Sequence, residues 1–334
     1  MKRYLLLIAP SSNRVYADAA TRLTCAELAM FGTVLEGGID GIEQVELAGI
    51  EYVTFEAQLT EMDLAYLSNL SSAYALFERE ADDLLRPVRI HPLAQFDDDL
   101  LTIQKYAGKT NEQFTKLLLN ATLLASSHAP KMLDGHLVVL DPLCGRGTTL
   151  NQALMYGYDA IGIDTDGKDF DIYSSFIRTW LKRKRIKHRA EIAPVRKDKR
   201  TLARRMSIEI GADQKLTVYH ADSTQAREFL RGGVADVIVA DLPYGVMHGS
   251  RTAGSGLSRS PLHLLREAIP VWSRLIQPGG AIGISWNTHV ASRAEAAEIL
   301  EDNGLRVRTG DGYDDVAHWV DQSIDRDILV ARKV

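Results

Sequence analysis

Hydrophobic positions give the chain two rhythms. From about residue 137 onward, short unbroken apolar runs alternate with helical patterns. Strands are expected at residues 137–140, 160–163, 215–219, 234–240, 280–285 and 327–331. Between them, helices are expected at 148–155, 168–178, 261–275 and 291–302, preceded by an amphipathic helix at 111–125. An apolar run without alternation is a strand covered on both faces, the condition that crossover helices impose on a parallel sheet. The rhythm therefore predicts an α/β fold with a doubly wound, mostly parallel sheet, whose ligands bind beyond the C-terminal ends of the strands.

The first ninety residues read differently. Leu5-Leu6-Leu7-Ile8 predicts a strand, and residues 18–31 a helix with Asp18 as N-cap and Gly32 at its end. Strands follow at 44–47 and 52–56, then a helix or two short ones over 64–80. Pro87, Pro92 and Asp97-Asp98-Asp99 mark a connector. The expected organisation is a small N-terminal α+β domain over 1–90, a connector over 91–110 and a larger domain over 111–334.

Composition narrows the function class. No apolar run reaches the roughly 18 residues of a membrane span. The apolar start stops at Pro10-Ser11-Ser12, so an N-terminal strand explains it better than a signal peptide. Cys25 and Cys144 are the only cysteines, too few for a four-cysteine metal site, and they fit a reducing cytoplasm. No metal site is expected. The formal charge is -5, but residues 181–205 hold twelve Lys or Arg against Glu191 and Asp198. A basic insertion in an acidic protein is either a solvated loop or a surface for a phosphate backbone.

The chemistry lies at the predicted strand ends. Asp141-Pro142-Leu143-Cys144-Gly145-Arg146-Gly147-Thr148-Thr149 follows the first strong strand and enters a helix. Its glycines permit a tight turn and close backbone approach, yet it lacks the third glycine of a dinucleotide fingerprint and the Lys-Ser/Thr of a phosphate loop. Such a loop suits the amino-acid end of an adenosine-based cofactor, with Asp141, Leu143, Cys144, Gly145, Gly147 and Thr148 lining it. Cys144 reads as a small packed residue, not a nucleophile. Asp164 ends the second strand, where a carboxylate accepts from two ribose hydroxyls. Asp166 reads as a helix cap. After the third strand, Asp222-Ser223 suits an adenine amine or the capping of the next helix, and the two roles are compatible.

Asp241-Leu242-Pro243-Tyr244 ends the fourth strand. The Asp241 carboxylate and the carbonyl of Leu242 or Pro243 can accept both hydrogens of an exocyclic amine. Pro243 stiffens the turn, and Tyr244 offers a face for stacking a flat base. An amine so held can attack a methyl group placed in line, with positioning and partial-charge stabilisation carrying most of the rate gain. The catalytic candidates are Asp241, Pro243 and Tyr244. The Gly/Ser-rich segment 249–260, with His248, Arg251 and Arg259 in and before it, reads as a lid or as a plain loop.

These strand-end motifs in this order resemble the Rossmann-like S-adenosylmethionine-dependent methyltransferases, and within them the Trm11-like family of tRNA guanosine-N2 methyltransferases. The resemblance covers roughly residues 100–334. It rests on the Asp141–Thr149 loop, the Asp241–Gly245 turn and Val320-Asp321-Gln322-Ser323-Ile324-Asp325-Arg326-Asp327. It implies S-adenosylmethionine as cofactor, contacts from Asn111, Phe114 and Asp241 to that cofactor, and tRNA or another structured nucleic acid as partner, held by residues 181–205 and the N-terminal domain. Members of that family carry a ferredoxin-like domain and a THUMP module, for which about 90 residues are too few, so either the basic insertion replaces part of the RNA grip or the substrate is not tRNA. N6-adenine methylation of DNA or RNA uses the same turn and stays open. Protein glutamine methylation uses an Asn in place of Asp241, a dehydrogenase needs a different glycine pattern, and a non-catalytic RNA scaffold would lack crevice residues that are present here.

Overall fold

In the computed structural model, which describes residues 1–10, 14–80, 84–243 and 261–334, the chain forms two sheets. The N-terminal unit contains β1 (Lys2–Ile8), α1 (Arg14–Gly32), β2 (Asp40–Leu47), β3 (Ile50–Ala57), α2 (Glu61–Leu67), β4 (Ala73–Arg79) and β5 (Leu85–Val88). Its five strands lie in the order β2-β3-β1-β4-β5, every neighbouring pair antiparallel.

Three sequence expectations are corrected here. Helix α1 begins four residues before Asp18, which therefore lies inside it and does not cap it. The expected helical stretch over 64–80 is a short helix followed by a strand. Thr60 and Asp63 form a reciprocal capping box that starts α2, and β4 then takes residues of good helix propensity into the gap between β1 and β5. Sheet pairing on both sides overrides local preference. Pro87 belongs to β5, at the edge of the sheet, where a missing N–H is tolerated.

The larger unit contains α3 (Asp99–Thr102), α4 (Glu112–Ala125), β6 (Val138–Asp141), α5 (Thr148–Met155), β7 (Asp159–Asp164), α6 (Gly167–Arg183), β8 (His188–Lys197), β9 (Arg200–Ile210) and β10 (Gln214–His220). These are followed by β11 (Ala235–Asp241), α7 (Pro261–Leu275), β12 (Ile276–Asn287), α8 (Arg293–Glu301), β13 (Leu305–Val307), β14 (His318–Asp321) and β15 (Ile324–Lys333). The sheet runs β13-β15-β12-β11-β6-β7-β10-β9-β8, with β14 paired to β15. Its central strands β10, β7, β6, β11 and β12 are parallel, and β15 and β9 are antiparallel neighbours on the two flanks. This is the expected doubly wound, Rossmann-like α/β architecture. β7 continues the sheet to one side of β6 and β11 to the other, so the topological switch point lies between β6 and β11.

Alternation within the buried strands serves two cores. Val139, Val237 and Val239 face the layer of α4, α5 and α6, while Leu140, Ile238 and Ala240 face that of α7 and α8. Helix α4 was expected to be amphipathic, but eleven of its residues from Phe114 to Ala125 are buried. The reason is that it packs on the sheet and on the N-terminal unit, whose Leu6, Phe31 and Phe55 belong to the same continuous core as Leu117 and Leu119. At about 1.5–3 kcal/mol for each large side chain fully removed from water, this contact ties the two units together.

The basic stretch 181–205 is secondary structure, not a loop. It comprises the end of α6, all of β8 and the first half of β9, a hairpin that widens the sheet beyond β10. Asp198 and Lys199 both have positive φ, the backbone of a tight two-residue hairpin turn.

Candidate active site

The four strand-end motifs meet along one edge of the large sheet. Asp141 lies opposite Gly162, His220 opposite Asp164, and Asp241 opposite Ser285. Parallel pairing in register thus sets the ends of β6, β7, β10, β11 and β12 side by side.

The loop after β6 is tightly built. Gly147 has φ +80°, and a Cβ there would stand 2.3 Å from the Tyr173 ring. Gly162 is closed in similarly, since a Cβ would meet Leu150 at 2.6 Å and the Cys144 sulfur at 2.8 Å. Cys144 is accordingly a packing residue whose thiol is pushed up by burial. Leu143 packs toward the α7 and α8 core, and the Thr148 hydroxyl lies 3.3 Å from that of Tyr106. Arg146 stacks 4.5 Å above the Tyr106 ring and pairs with Asp169 at 2.8 Å.

Three carboxyl groups border the crevice. Asp141 is buried and accepts from the Leu143 N–H at 3.0 Å. Burial foremost, with the negative charges of Asp164 and Asp241 adding to it, pushes its pKa up to about 7. Asp164 accepts from the N–H of Gly145 and of Asp166, each at 2.7 Å, and burial raises it as well. Asp241 accepts from the Thr110 hydroxyl at 2.6 Å through one oxygen and from the Ser285 hydroxyl through the other. Held through both oxygens, the carboxyl group of Asp241 is fixed in orientation. The N–H of Leu242 donates to the Ser285 carbonyl at 2.8 Å, and Pro243 is exposed. Tyr244 and the segment 249–260, with His248, Arg251 and Arg259, lie outside the described residues.

The remaining candidates take structural positions at the rim. Asp222 caps the short 3-10 helix Ser223–Glu228, accepting from the N–H and hydroxyl of Thr224, and Ser223 is buried. Asp166 caps α6. Asn111 caps α4, accepting from the Phe114 N–H at 3.0 Å. The Phe114 ring is wholly buried, with Arg326 stacked over it at 4.3 Å and His318 at 5.3 Å, so it faces protein on every side. Burial, with Arg326 and Arg22 adding to it, lowers His318 to about 4 and keeps the ring neutral. The motif Val320–Asp327 is the β14–β15 turn, and through Arg326 it buttresses the start of α4, and with it Thr110 and Asn111.

Thr110, Ser285, Tyr106 and Tyr173 were not nominated from the sequence. Thr110 directly precedes Asn111, one of the residues that the family resemblance implies. Ser285 is the single hydroxyl in the run Gly280-Ala281-Ile282-Gly283-Ile284-Ser285, a polar residue at the end of a buried strand, and that was the available signal. Among the described residues no cluster of three His, Cys, Asp or Glu could hold a metal ion, and no helix is long and apolar enough to cross a membrane.

Residues 115–279 match the family described as UPF0020, RMKL-like, methyltransferase domain. This segment is a methyltransferase domain. It holds most of α4, the four strand-end motifs and α7. No curated protein matches the chain. Solved structures similar to it include TrmN from Thermus thermophilus, at 13% identity and a TM-score of 0.45, covering 99% of this chain and 100% of that one. Precorrin-6y C5,15-methyltransferase from Geobacter metallireducens shows 15% identity and a TM-score of 0.42, covering 73% and 100%. N-methyltransferase NodS from Bradyrhizobium japonicum shows 13% identity and 0.40, covering 66% and 94%. The chemistry of the domain is methyl transfer.

Proposed function

We propose that the chain moves the methyl group of S-adenosylmethionine to the exocyclic amine of a nucleobase, guanosine N2 in tRNA, as the resemblance to the Trm11-like family implies. The observation that carries this reading is the placement of Asp241 across the switch point from Asp141. A carboxylate aimed by two hydroxyls stands on the acceptor side, and a glycine-built cradle stands on the cofactor side.

The residues present fit the cofactor. Gly147 and Gly162 let the loop pack tightly on Tyr173, Leu150 and Cys144, and the space beside Gly145 is open, so a ligand can come close to the backbone there. Asp141, raised chiefly by burial and further by its acidic neighbours, is the environment that a cationic amino-acid end or sulfonium relieves. Asp164 retains acceptor capacity for ribose hydroxyls. When bound, S-adenosylmethionine supplies a methyl group on a positively charged sulfur.

The protein's part is to place the acceptor. Asp241 accepts one N–H of the amine, and a carbonyl of the Leu242-Pro243 turn accepts the other. Held so, the amine nitrogen would take up the methyl group that the bound cofactor supplies and give up one proton to water in exchange. Holding the amine so that its lone pair turns out of the ring plane is a positioning task, and no strong base is needed.

Transfer of a radiolabelled methyl group to bulk tRNA, ribosomal RNA and DNA, followed by digestion to nucleosides, tests the reading. Label in N2-methylguanosine from tRNA is the expected product. Label in N6-methyladenosine would move the acceptor to adenine, and no labelled nucleoside from any of the three would overturn a nucleobase acceptor.

A further inference from the structure

The twelve cations of residues 181–205 fall at opposite ends of the hairpin. Helix α6 starts just after the C-terminal end of β7 and runs back along the sheet for 17 residues, about 25 Å. Lys182, Arg183, Lys184, Arg185 and Lys187 therefore lie at the edge away from the crevice. Strand β8 begins at that same edge, where His188 pairs with Ile210 and Ile210 with Gln214, the first residue of β10. Ten residues later, about 30 Å along, β8 ends at Lys197 on the crevice edge.

The hairpin also overshoots that edge. Arg204 pairs with His220, the last residue of β10, so residues 200–203 continue past the strand end by about 13 Å. The tip carries Arg196, Lys197, Lys199 and Arg200, all exposed. Among the described residues none of the four is in a salt bridge, whereas Lys184 pairs with Asp97 at 2.7 Å and Asp99 at 2.8 Å, and Arg204 pairs with Asp171. Four strand spacings separate β9 from β11, which puts the tip about 20 Å from Asp241 along the same edge. Between the two stand Asp141 and Asp164, which repel a phosphate. A polyanion held at the tip is thus kept off the cofactor cradle yet stays within a few nucleotides of the acceptor turn.

We propose that the β8–β9 tip holds the phosphate backbone of an RNA whose base enters the Asp241 turn, and that the cations at the α6 end take no part. This rests on the nucleobase reading above. Two sets, each removing four charges from the full chain, separate tip from far edge: Arg196→Gln, Lys197→Gln, Lys199→Gln and Arg200→Gln against Lys182→Gln, Arg183→Gln, Arg185→Gln and Lys187→Gln. Affinity for bulk tRNA is measured from 50 to 200 mM salt, beside KM and kcat for methyl transfer to it.

The tip set is expected to weaken binding and raise KM by about tenfold or more at low salt. It should also make the log-affinity against log-salt slope shallower by about 3, with kcat near that of the parent. The far set is expected to change affinity less than twofold, and a tip set that swaps Arg for Lys and Lys for Arg to keep it. Equal losses from both sets, or an unchanged slope in the tip set, would overturn the assignment. Failure of the wild-type chain to methylate any RNA, with tip-dependent binding intact, would instead strike the nucleobase reading alone.

Discussion

Thr110 donates its hydroxyl to Asp241 at 2.6 Å across 131 positions of sequence. The bond joins the segment leading into α4 to the end of β11, and Ser285 at the end of β12 completes the clasp from the other side. Two separate segments of the chain thereby hold the Asp241 side chain before any ligand arrives, a preorganised acceptor.

Asp241→Ala should remove detectable methyl transfer and leave cofactor affinity within a few-fold of the parent. Thr110→Val and Ser285→Ala keep the carboxylate but release its aim, and each is expected to lower kcat by about ten- to a hundredfold with little change in KM. Steady-state kinetics alongside calorimetric cofactor titration checks all three. Near-normal turnover in Asp241→Ala would remove the turn from the mechanism.

Gly147→Ala meets two obstacles at once. Its φ of +80° strains any side chain by about 1–2 kcal/mol, and the new Cβ would fall 2.3 Å from the Tyr173 ring. That ring is fully buried and donates its hydroxyl to Asn151 at 2.9 Å, so it has nowhere to swing. Gly145 also has positive φ, but nothing lies within 4 Å of a Cβ there. Thermal unfolding and cofactor titration should therefore show a severe loss for Gly147→Ala and a mild one for Gly145→Ala. Equal effects would mean that strain alone, not the Tyr173 contact, decides the loop.

How much of this was legible varies with the range of the cause. β11 could be read because Val237 to Ala240 is buried on both faces and shows no alternation. The acids at the strand ends could be read because each directly follows such a run. The hairpin could not: Ala193 and Val195 on β8 and Met206, Ile208 and Ile210 on β9 keep a strand period, but Lys and Arg outnumber them and Pro194 interrupts, so charge masked the pattern. The aim of Asp241 was out of reach as well, because its partners are brought in by sheet order and not by sequence neighbourhood. Asn69 has no chemistry that its sequence neighbours would point to, yet its side-chain oxygen accepts from the Leu93 N–H and its carbonyl from Asn120 at 2.8 Å.

That last contact belongs to a buried joint between the two units. Glu27 of α1 accepts from the Ser71 N–H and hydroxyl and from the Asn120 amide of α4 at 2.7 Å, and burial raises its pKa. Glu27→Ala would strand these donors away from water and should destabilise the chain by about 2–4 kcal/mol. Glu27→Gln keeps an acceptor oxygen and should lose much less. Denaturant unfolding at pH 7 distinguishes them, and a Glu27→Ala loss below that of Glu27→Gln would show that the joint does not depend on these bonds.

Asp141 should couple stability to cofactor affinity with opposite signs. Its carboxyl titrates near 7 when folded, against about 3.9 when unfolded, so the folded chain holds the proton more tightly. Stability from this group is therefore fully present below about pH 4 and is lost as pH rises through about 7. Asp141→Asn removes the loss, and its amide oxygen can still accept from Leu143. The variant should gain about 2–4 kcal/mol at pH 8 and almost nothing near pH 4. A cationic ligand favours the ionised carboxylate, so in the parent chain S-adenosylmethionine should bind with proton release and weaken as pH falls below about 7. Asp141→Asn should bind it more weakly and without that pH dependence. Scanning calorimetry at the two pH values and titration calorimetry in buffers of different ionisation heat read both effects. A lower Tm at pH 8 for Asp141→Asn, or affinity in the parent chain that is flat from pH 6 to 8, would show that this carboxyl is not the cofactor's charge partner.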